Sequence, residues 1–196
     1  MLTFTIAVFF LLITPGPGVL STAGVGSAFG LRSGSRYIIG LFIGTNMVAL
    51  AVISGLAAIV LARPEIRVVL LIASTCYLLY LATRIALSGS RIAFIETVKP
   101  PGIWGGITLQ AINPKAYTVN TALFTGFAFW PESLAVETLI KLLIINAVWI
   151  PIHFLWLGAG LWLHRLDLPA HIQFRINIAM ALSMLAVVAL AALAPK

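Results

Sequence analysis

The sequence predicts an all-α integral membrane protein with six transmembrane helices. Hydrophobic residues make up 61% of the 196 positions and charged residues only 9%. The mean hydropathy is +1.11. A soluble domain carries about a quarter charged residues, because water has to solvate its surface. A chain this poor in charge is typical of a protein that lipid surrounds.

Six apolar runs are long enough to cross a bilayer, which takes about 20 mostly apolar residues. They cover about 3–29, 37–62, 68–87, 103–129, 138–163 and 176–193. The gaps between them are too short for a soluble domain, so residues 1–196 are predicted to form a single transmembrane transporter domain. Its first half covers residues 1–88, a polar central loop covers 89–101, and the second half covers 102–196.

The charge pattern predicts how the chain crosses the membrane. The chain has 12 basic and 5 acidic residues, for a net charge of +7. The basic residues lie mostly in the short gaps, as in membrane loops, so we expect no nucleic-acid partner. The more basic side faces the cytoplasm by the positive-inside rule, which places both termini outside. That side holds Arg32, Arg36, Arg84, Arg91, Lys99, Arg165 and Arg175, and the other holds Arg63, Arg67, Lys141 and Lys196.

Two of the six runs contain a break near their middle. The breaks are Thr14-Pro15-Gly16-Pro17 in the first run and Asn113-Pro114-Lys115 in the fourth. Proline removes a backbone donor and displaces a carbonyl one turn back, so each break is predicted to interrupt its helix. With three spans per half, the two halves cross the membrane in opposite senses. Paired breaks in such a 3+3 inverted repeat mark a midplane binding site in transporters, although a plain helix kink is the structural alternative.

Lys115 is the most informative single residue. It lies about twelve residues from either end of its run, where a charged side chain is costly and by default marks a functional site. It is predicted to hold a substrate carboxylate. The alternative is that its long side chain reaches an interface.

Three further polar residues within the apolar runs are candidates for the site. Asn46 lies 32 residues after Thr14, and Asn146 lies 33 residues after Asn113, so they occupy matching places in the two halves. Both are predicted to bind substrate, although asparagine also joins helices in membranes. His153 is the candidate proton carrier for coupling. No metal site, cofactor site or enzyme motif is present in the sequence.

These motifs resemble those of the lysine exporter (LysE/RhtB) superfamily. The resemblance rests on Thr14-Pro15-Gly16-Pro17, Asn113-Pro114-Lys115-Ala116 and the run Tyr77-Leu78-Leu79-Tyr80-Leu81. It implies export of amino acids or close derivatives from the cytoplasm, driven by the proton gradient. It also implies a multi-pass protein of the bacterial inner membrane that can form a homodimer. The chain departs from the family in having Gly18 where asparagine is common, and Asn146 where an acidic residue is common.

Two other functions compete with an amino-acid exporter. A metal-cation exporter would need oxygen-rich sites, and the sequence places no acidic residue inside a predicted span. A non-transporting membrane scaffold or a membrane-embedded enzyme would need no polar cavity. Convergence of Lys115, Pro15 and Asn146 on one water-filled cavity would favour transport.

Overall fold

The computed structural model describes residues 1–55, 58, 62–87, 99–166, 169, 171–172, 174–176, 178–179 and 182. In chain order the helices are α1 (Leu2–Ile13), α2 (Pro17–Ile53), α3 (Pro64–Leu87), α4 (Gly102–Ile112), α5 (Pro114–Thr125) and α6 (Leu134–Arg165). No strand occurs in these described ranges. Most of the sixth predicted run, 176–193, and the central loop 89–98 lie outside the described residues.

Three helices are long and apolar enough to cross a bilayer: Pro17–Ile53, Pro64–Ile85 and Leu134–Leu163. For the described residues, the predicted all-helical architecture with helices of membrane-spanning length is therefore confirmed. The 3+3 arrangement of six spans stays a prediction.

Helix α2 is a hairpin of two arms, residues 17–29 and 31–53. Gly30 has φ 76° and ψ −174°, a left-handed conformation that favours glycine. The Tyr37 hydroxyl donates to Ser21 Oγ at 3.1 Å. Sixteen residues of straight helix would separate these two positions by about 24 Å, so the arms must run antiparallel. The loop expected at 30–36 is thus a one-residue turn, and the second predicted helix begins earlier than residue 37.

Both predicted breaks are present. Helix α1 ends at Ile13, and Pro17 is the first residue of α2. Helix α4 ends at Ile112, and Pro114 is the first residue of α5. Proline suits the first position of a helix because its missing N–H has no intrahelical acceptor there.

Other helix ends differ from the predicted ones because of local chemistry. The second arm of α2 stops at Ile53 rather than near residue 62, two residues before Gly55 with φ 75°. Helix α5 ends at Thr125 rather than near 129. Helix α6 begins at Leu134 rather than near 138, because the Ser133 hydroxyl caps it by accepting the Val136 N–H.

Glycines allow neighbouring helices to pack closely. A Cβ on Gly40 would stand 2.0 Å from the Ile103 carbonyl oxygen, and one on Gly160 would stand 2.1 Å from the Ala23 carbonyl oxygen. The second arm of α2 therefore packs directly on α4, and its first arm packs on α6. Small residues permit such contacts between membrane helices.

Two hydrophobic clusters hold the bundle. The larger cluster joins both arms of α2 to α3, α4 and the second half of α6. The smaller cluster joins α1, α5 and the first half of α6, and it consists of Phe4, Val8, Val119, Leu123 and Ile145. The breaks in α1–α2 and α4–α5 lie between these clusters.

Candidate functional site

A cavity of about 60 Å³ opens where the two breaks meet. A single water needs roughly 10–15 Å³, so the cavity has room for several waters or a small polar group. It is lined by Leu11, Leu12, Thr14, Gly16, Pro17, Gly18, Val19, Thr45, Gln110, Asn113, Lys115, Ala116, Val119, Asn120, Trp149 and His153.

Lys115 bridges the two breaks. Its ammonium Nζ donates to the Thr14 carbonyl oxygen at 2.8 Å, across 101 residues of sequence. The side chain passes directly over Gly16, where a Cβ would stand 2.9 Å from Lys115 Cδ and 3.0 Å from Nζ. The absence of a side chain at Gly16 is therefore what lets the lysine reach the opposite break.

The second break carries a chain of oriented amides. The backbone N–H of Lys115 donates to Asn113 Oδ1 at 3.1 Å, which identifies that atom as the oxygen. Asn113 Nδ2 then donates to Gln110 Oε1 at 3.0 Å, and Gln110 Nε2 donates to Thr45 Oγ1 at 2.9 Å. The Lys115 N–H fixes the orientation of the Asn113 amide, and Asn113 Nδ2 in turn fixes that of the Gln110 amide. The Gln110 atom at the cavity wall that accepts from Asn113 is therefore its oxygen.

His153 is oriented in a similar way. Its Nδ1 lies 2.9 Å from the Trp149 carbonyl oxygen, and its ring stacks on the Trp149 ring with centroids 3.5 Å apart. A carbonyl only accepts hydrogen bonds, so Nδ1 carries the proton and Nε2 of the neutral ring is an acceptor. Nε2 faces Gly18, at 3.6 Å from the place a Cβ would occupy there.

Asn46 and Asn146 bind each other. Asn46 Nδ2 donates to Asn146 Oδ1 at 3.1 Å, and Asn146 Nδ2 donates to Asn46 Oδ1 at 3.0 Å. Each amide also donates to the carbonyl one turn earlier, of Phe42 and Leu142 respectively. The pair joins the second arm of α2 to α6 rather than lining the cavity.

The structure thus brings most of the predicted site residues together. Those on the cavity wall are Thr14, Gly16, Pro17, Asn113, Lys115 and His153. Pro15 and Pro114 shape the breaks without lining the cavity, and Asn46 and Asn146 lie apart as a pair. The substrate-binding role of the whole set stays a prediction.

Sequence reasoning missed Gln110, Thr45 and Trp149 as wall residues. Gln110 had a local signal, because it lies three residues before Asn113 and so on the same helical face. Thr45 and Trp149 had none, since their place on the wall depends on contacts with other helices.

The wall carries a positive charge and no carboxylate. Lys115 is the one charged side chain among the lining residues, and His153 is the other titratable one. Within the described part of the chain, no group of three or more His, Cys, Asp or Glu side chains lies close enough to hold a metal ion. The cavity suits an anionic group at Lys115 beside neutral acceptors at Gln110 and His153.

A second polar cluster lies at the far end of α5. Glu137 Oε1 is 2.7 Å from Lys141 Nζ, and Glu137 Oε2 accepts the N–H groups of Phe129 and Trp130. Lys141 also donates to the Phe124 carbonyl oxygen at 3.0 Å. Both charged side chains are buried. The charge pattern counts Lys141 among the basic residues of the less basic side, and the structure buries it beside a carboxylate.

The chain is similar to bacterial efflux proteins. It is 27% identical over 130 residues to the leucine efflux protein of Salmonella typhimurium, covering 64% of this chain and 61% of that protein. It is 27% identical over 137 residues to the cysteine/O-acetylserine efflux protein of Salmonella typhi, covering 69% of each. The leucine efflux protein of Klebsiella pneumoniae is 25% identical over 131 residues. This similarity is consistent with the LysE/RhtB resemblance of the two motifs.

The matched region spans about three fifths of the leucine efflux proteins. No model of a protein family matches the chain, and no solved structure matches it. The relatives are transporters by name rather than enzymes. This similarity and the long apolar helices indicate a multi-pass membrane protein.

Proposed function

We propose that this chain, a homologue of bacterial efflux proteins, exports amino acids or close derivatives from the cytoplasm. The observation that carries the proposal is Lys115, which spans the two helix breaks inside a small polar cavity. The proposed protein is a secondary transporter of the bacterial inner membrane that works by alternating access and proton coupling. A homodimer is part of the same proposal by family resemblance.

The substrate carboxylate binds at Lys115 in this scheme. The ammonium of Lys115 donates to the Thr14 carbonyl oxygen, and a carboxylate is a stronger acceptor for it. Gly18 and Val19 follow Pro17 at the start of α2, where N–H groups have no intrahelical acceptor and the helix dipole is positive. First-turn N–H groups point out of the N-terminus of a helix, which here lies at Gly16 under Lys115. The helix end and the lysine therefore attract the same anionic group, on the Gly16 side of the cavity.

His153 supplies proton coupling in this scheme. Its neutral Nε2 faces the cavity as an acceptor and becomes a donor when it takes a proton. Among the lining residues, Lys115 carries the charge that opposes protonation of His153. A proton on His153 and a cationic substrate group then compete for the same space, which is what exchange of a proton for substrate requires.

Alternating access is supported by the position of the breaks. Helix α1 ends and helix α5 begins at the cavity, and both pack in the smaller cluster. The arms of α2 and α4 pack in the larger cluster, and α6 contributes to both clusters. Movement of one cluster relative to the other would open the cavity to either side of the membrane.

The test is efflux of radiolabelled amino acids from cells that express the Lys115→Ala variant. We expect efflux to fall at least tenfold while the amount of protein in the membrane is unchanged, because the carboxylate loses its charged partner. Thr118→Ala is the matched control, since Thr118 lies on the same helix, is exposed and bonds only one turn back to Pro114.

Normal efflux in the Lys115→Ala variant would remove Lys115 from the mechanism. An uncoupler that leaves wild-type efflux unchanged would remove the proton gradient as the driving force. A metal-cation exporter is the less favoured alternative, because hard cations take oxygen-rich sites and the lining residues include no carboxylate.

A further inference from the structure

We infer that the space beside Gly18 binds the substrate's α-ammonium group, so that this cavity takes α-amino acids with uncharged side chains. The inference rests on the proposed export function and names the substrate class of the same site. It depends on two acceptor atoms that converge on one glycine.

Gln110 Oε1 and His153 Nε2 face the same point. A Cβ on Gly18 would stand 3.8 Å from the first atom and 3.6 Å from the second. Both side chains are buried, and each has its other polar atom occupied, by Thr45 and by the Trp149 carbonyl. Gln110 Oε1 accepts Asn113 Nδ2 and keeps a second lone pair, and His153 Nε2 is the acceptor nitrogen of the neutral ring. The two atoms directed at Gly18 are therefore both acceptors, which is the complement of an ammonium group.

The carbonyls freed by the first break are less available for this role. The Thr14 carbonyl accepts the Lys115 ammonium, and the Gly16 carbonyl accepts the Leu20 N–H at 3.0 Å. The Gly18 carbonyl accepts two hydroxyls, from Ser21 and Thr22. The ammonium therefore binds side-chain acceptors across from Gly18 rather than the broken backbone.

The two charge sites lie near one another along the chain. Lys115 lies over Gly16, and the acceptor pair lies beside Gly18, two residues further along. Consecutive Cα atoms are about 3.8 Å apart, so the two glycine Cα atoms are at most about 7.6 Å apart. A carboxylate at Gly16 and an ammonium at Gly18 can thus belong to the same zwitterion.

The rest of the wall sets the side-chain preference. Apolar side chains from Leu11, Leu12, Val19 and Val119 complete the cavity, with no carboxylate among the lining residues to balance a second positive charge. A substrate with a basic side chain would bring an uncompensated charge next to Lys115. The walls therefore favour neutral amino acids.

Gly18→Ala isolates the proposed subsite. Gly18 is in a helix, and its added methyl would make only ordinary van der Waals contacts, so the fold should accept it. The methyl would nevertheless occupy the place of the ammonium. Gly158→Ala in α6 is the matched control, because a Cβ there meets no atom within 4 Å.

The experiment measures uptake of radiolabelled leucine and serine into everted membrane vesicles that contain the full chain. It also measures the rise in Tm of the purified protein with leucine and with 4-methylpentanoate, which has the carboxylate and side chain of leucine but no ammonium. We expect Gly18→Ala to reduce uptake about tenfold, because a hydrogen bond to a charged group is worth roughly that factor. We also expect its Tm rise with leucine to fall to that seen with 4-methylpentanoate, whereas Gly158→Ala behaves as wild type.

Two results would overturn the subsite. Gly18→Ala could match Gly158→Ala in both measurements, or it could lose the Tm response to both ligands equally. Wild-type vesicles that accumulate no amino acid would instead refute the export function. In that case the Tm comparison between leucine and 4-methylpentanoate still decides whether Gly18 adjoins an ammonium subsite.

Discussion

At the scale of single residues, the site depends on a glycine and a lysine from opposite halves of the chain. Gly16 and Lys115 occupy the third position of their respective motifs, and the structure lays one over the other. A lysine in one half requires the absence of a side chain in the other. The two predicted breaks therefore differ in chemistry at their third residue, which is a glycine in one half and a lysine in the other.

We expect Gly16→Ala to act through Lys115. The added methyl would stand within 3.0 Å of two atoms near the end of a flexible side chain, so Lys115 should shift while the fold persists. Efflux should fall severalfold in the wild-type background. Because the two residues share one contact, Gly16→Ala should have no further effect in a Lys115→Ala background. Additive losses in that double-mutant cycle would show that Gly16 acts independently of the lysine.

At the scale of the elements, one ion pair ties the end of α5 to α6. Glu137 and Lys141 lie one turn apart on α6 and bind backbone groups of the segment 124–130. Lys141 Nζ also stands over the Phe4 ring at 6.0 Å and the Phe129 ring at 5.7 Å. The pair thus anchors α5, whose other end carries Asn113 and Lys115, against α1 and α6.

We expect Lys141→Met to destabilise the protein strongly, because it leaves the Glu137 carboxylate without its charged partner. Adding Glu137→Gln should recover much of the loss, since the glutamine oxygen can still accept the Phe129 N–H without carrying a charge. Thermal unfolding of the purified protein in detergent measures both changes. If the Lys141→Met protein is as stable as wild type, water already solvates the Glu137 carboxylate.

At the scale of the whole molecule, basic residues from several helices lie at the same end of the bundle. The residue pairs Gly40–Ile103 and Gly44–Ile107 show that the second arm of α2 runs parallel to α4. Residues 31–36 and 99–102 therefore lie at the same end of the bundle, and Arg84 donates to the Lys99 carbonyl there. The burial of Lys141 removes one basic residue from the opposite predicted side.

The grouping sharpens the predicted topology, in which both termini lie outside the cytoplasm. Alkaline phosphatase fused after Lys196 should be active, because it folds only outside the cytoplasm, and the same enzyme inserted after Arg32 should be inactive. The reverse pattern would invert the orientation. Activity at both points would contradict the odd number of spans, five, that is predicted between them.

The sequence by itself determined the features that depend on local chemistry. Proline removes a backbone donor and displaces the carbonyl one turn back, so both breaks are predictable from residues 14–17 and 113–115. The placement of Lys115 at a site followed from the cost of a charge within an apolar run. The class of the fold followed from composition and from the length of the apolar runs.

The tertiary structure alone decided which of these residues meet. Asn46 and Asn146 were predicted at matching places in the two halves, but only the packing of α2 against α6 shows that each amide satisfies the other. The same holds for Gln110, whose oxygen reaches Gly18, and for Lys141, which has a buried carboxylate beside it. The physical reason is that hydrogen bonds and ion pairs act over about 3 Å in space, whereas the residues that form this cavity lie up to 101 positions apart along the chain.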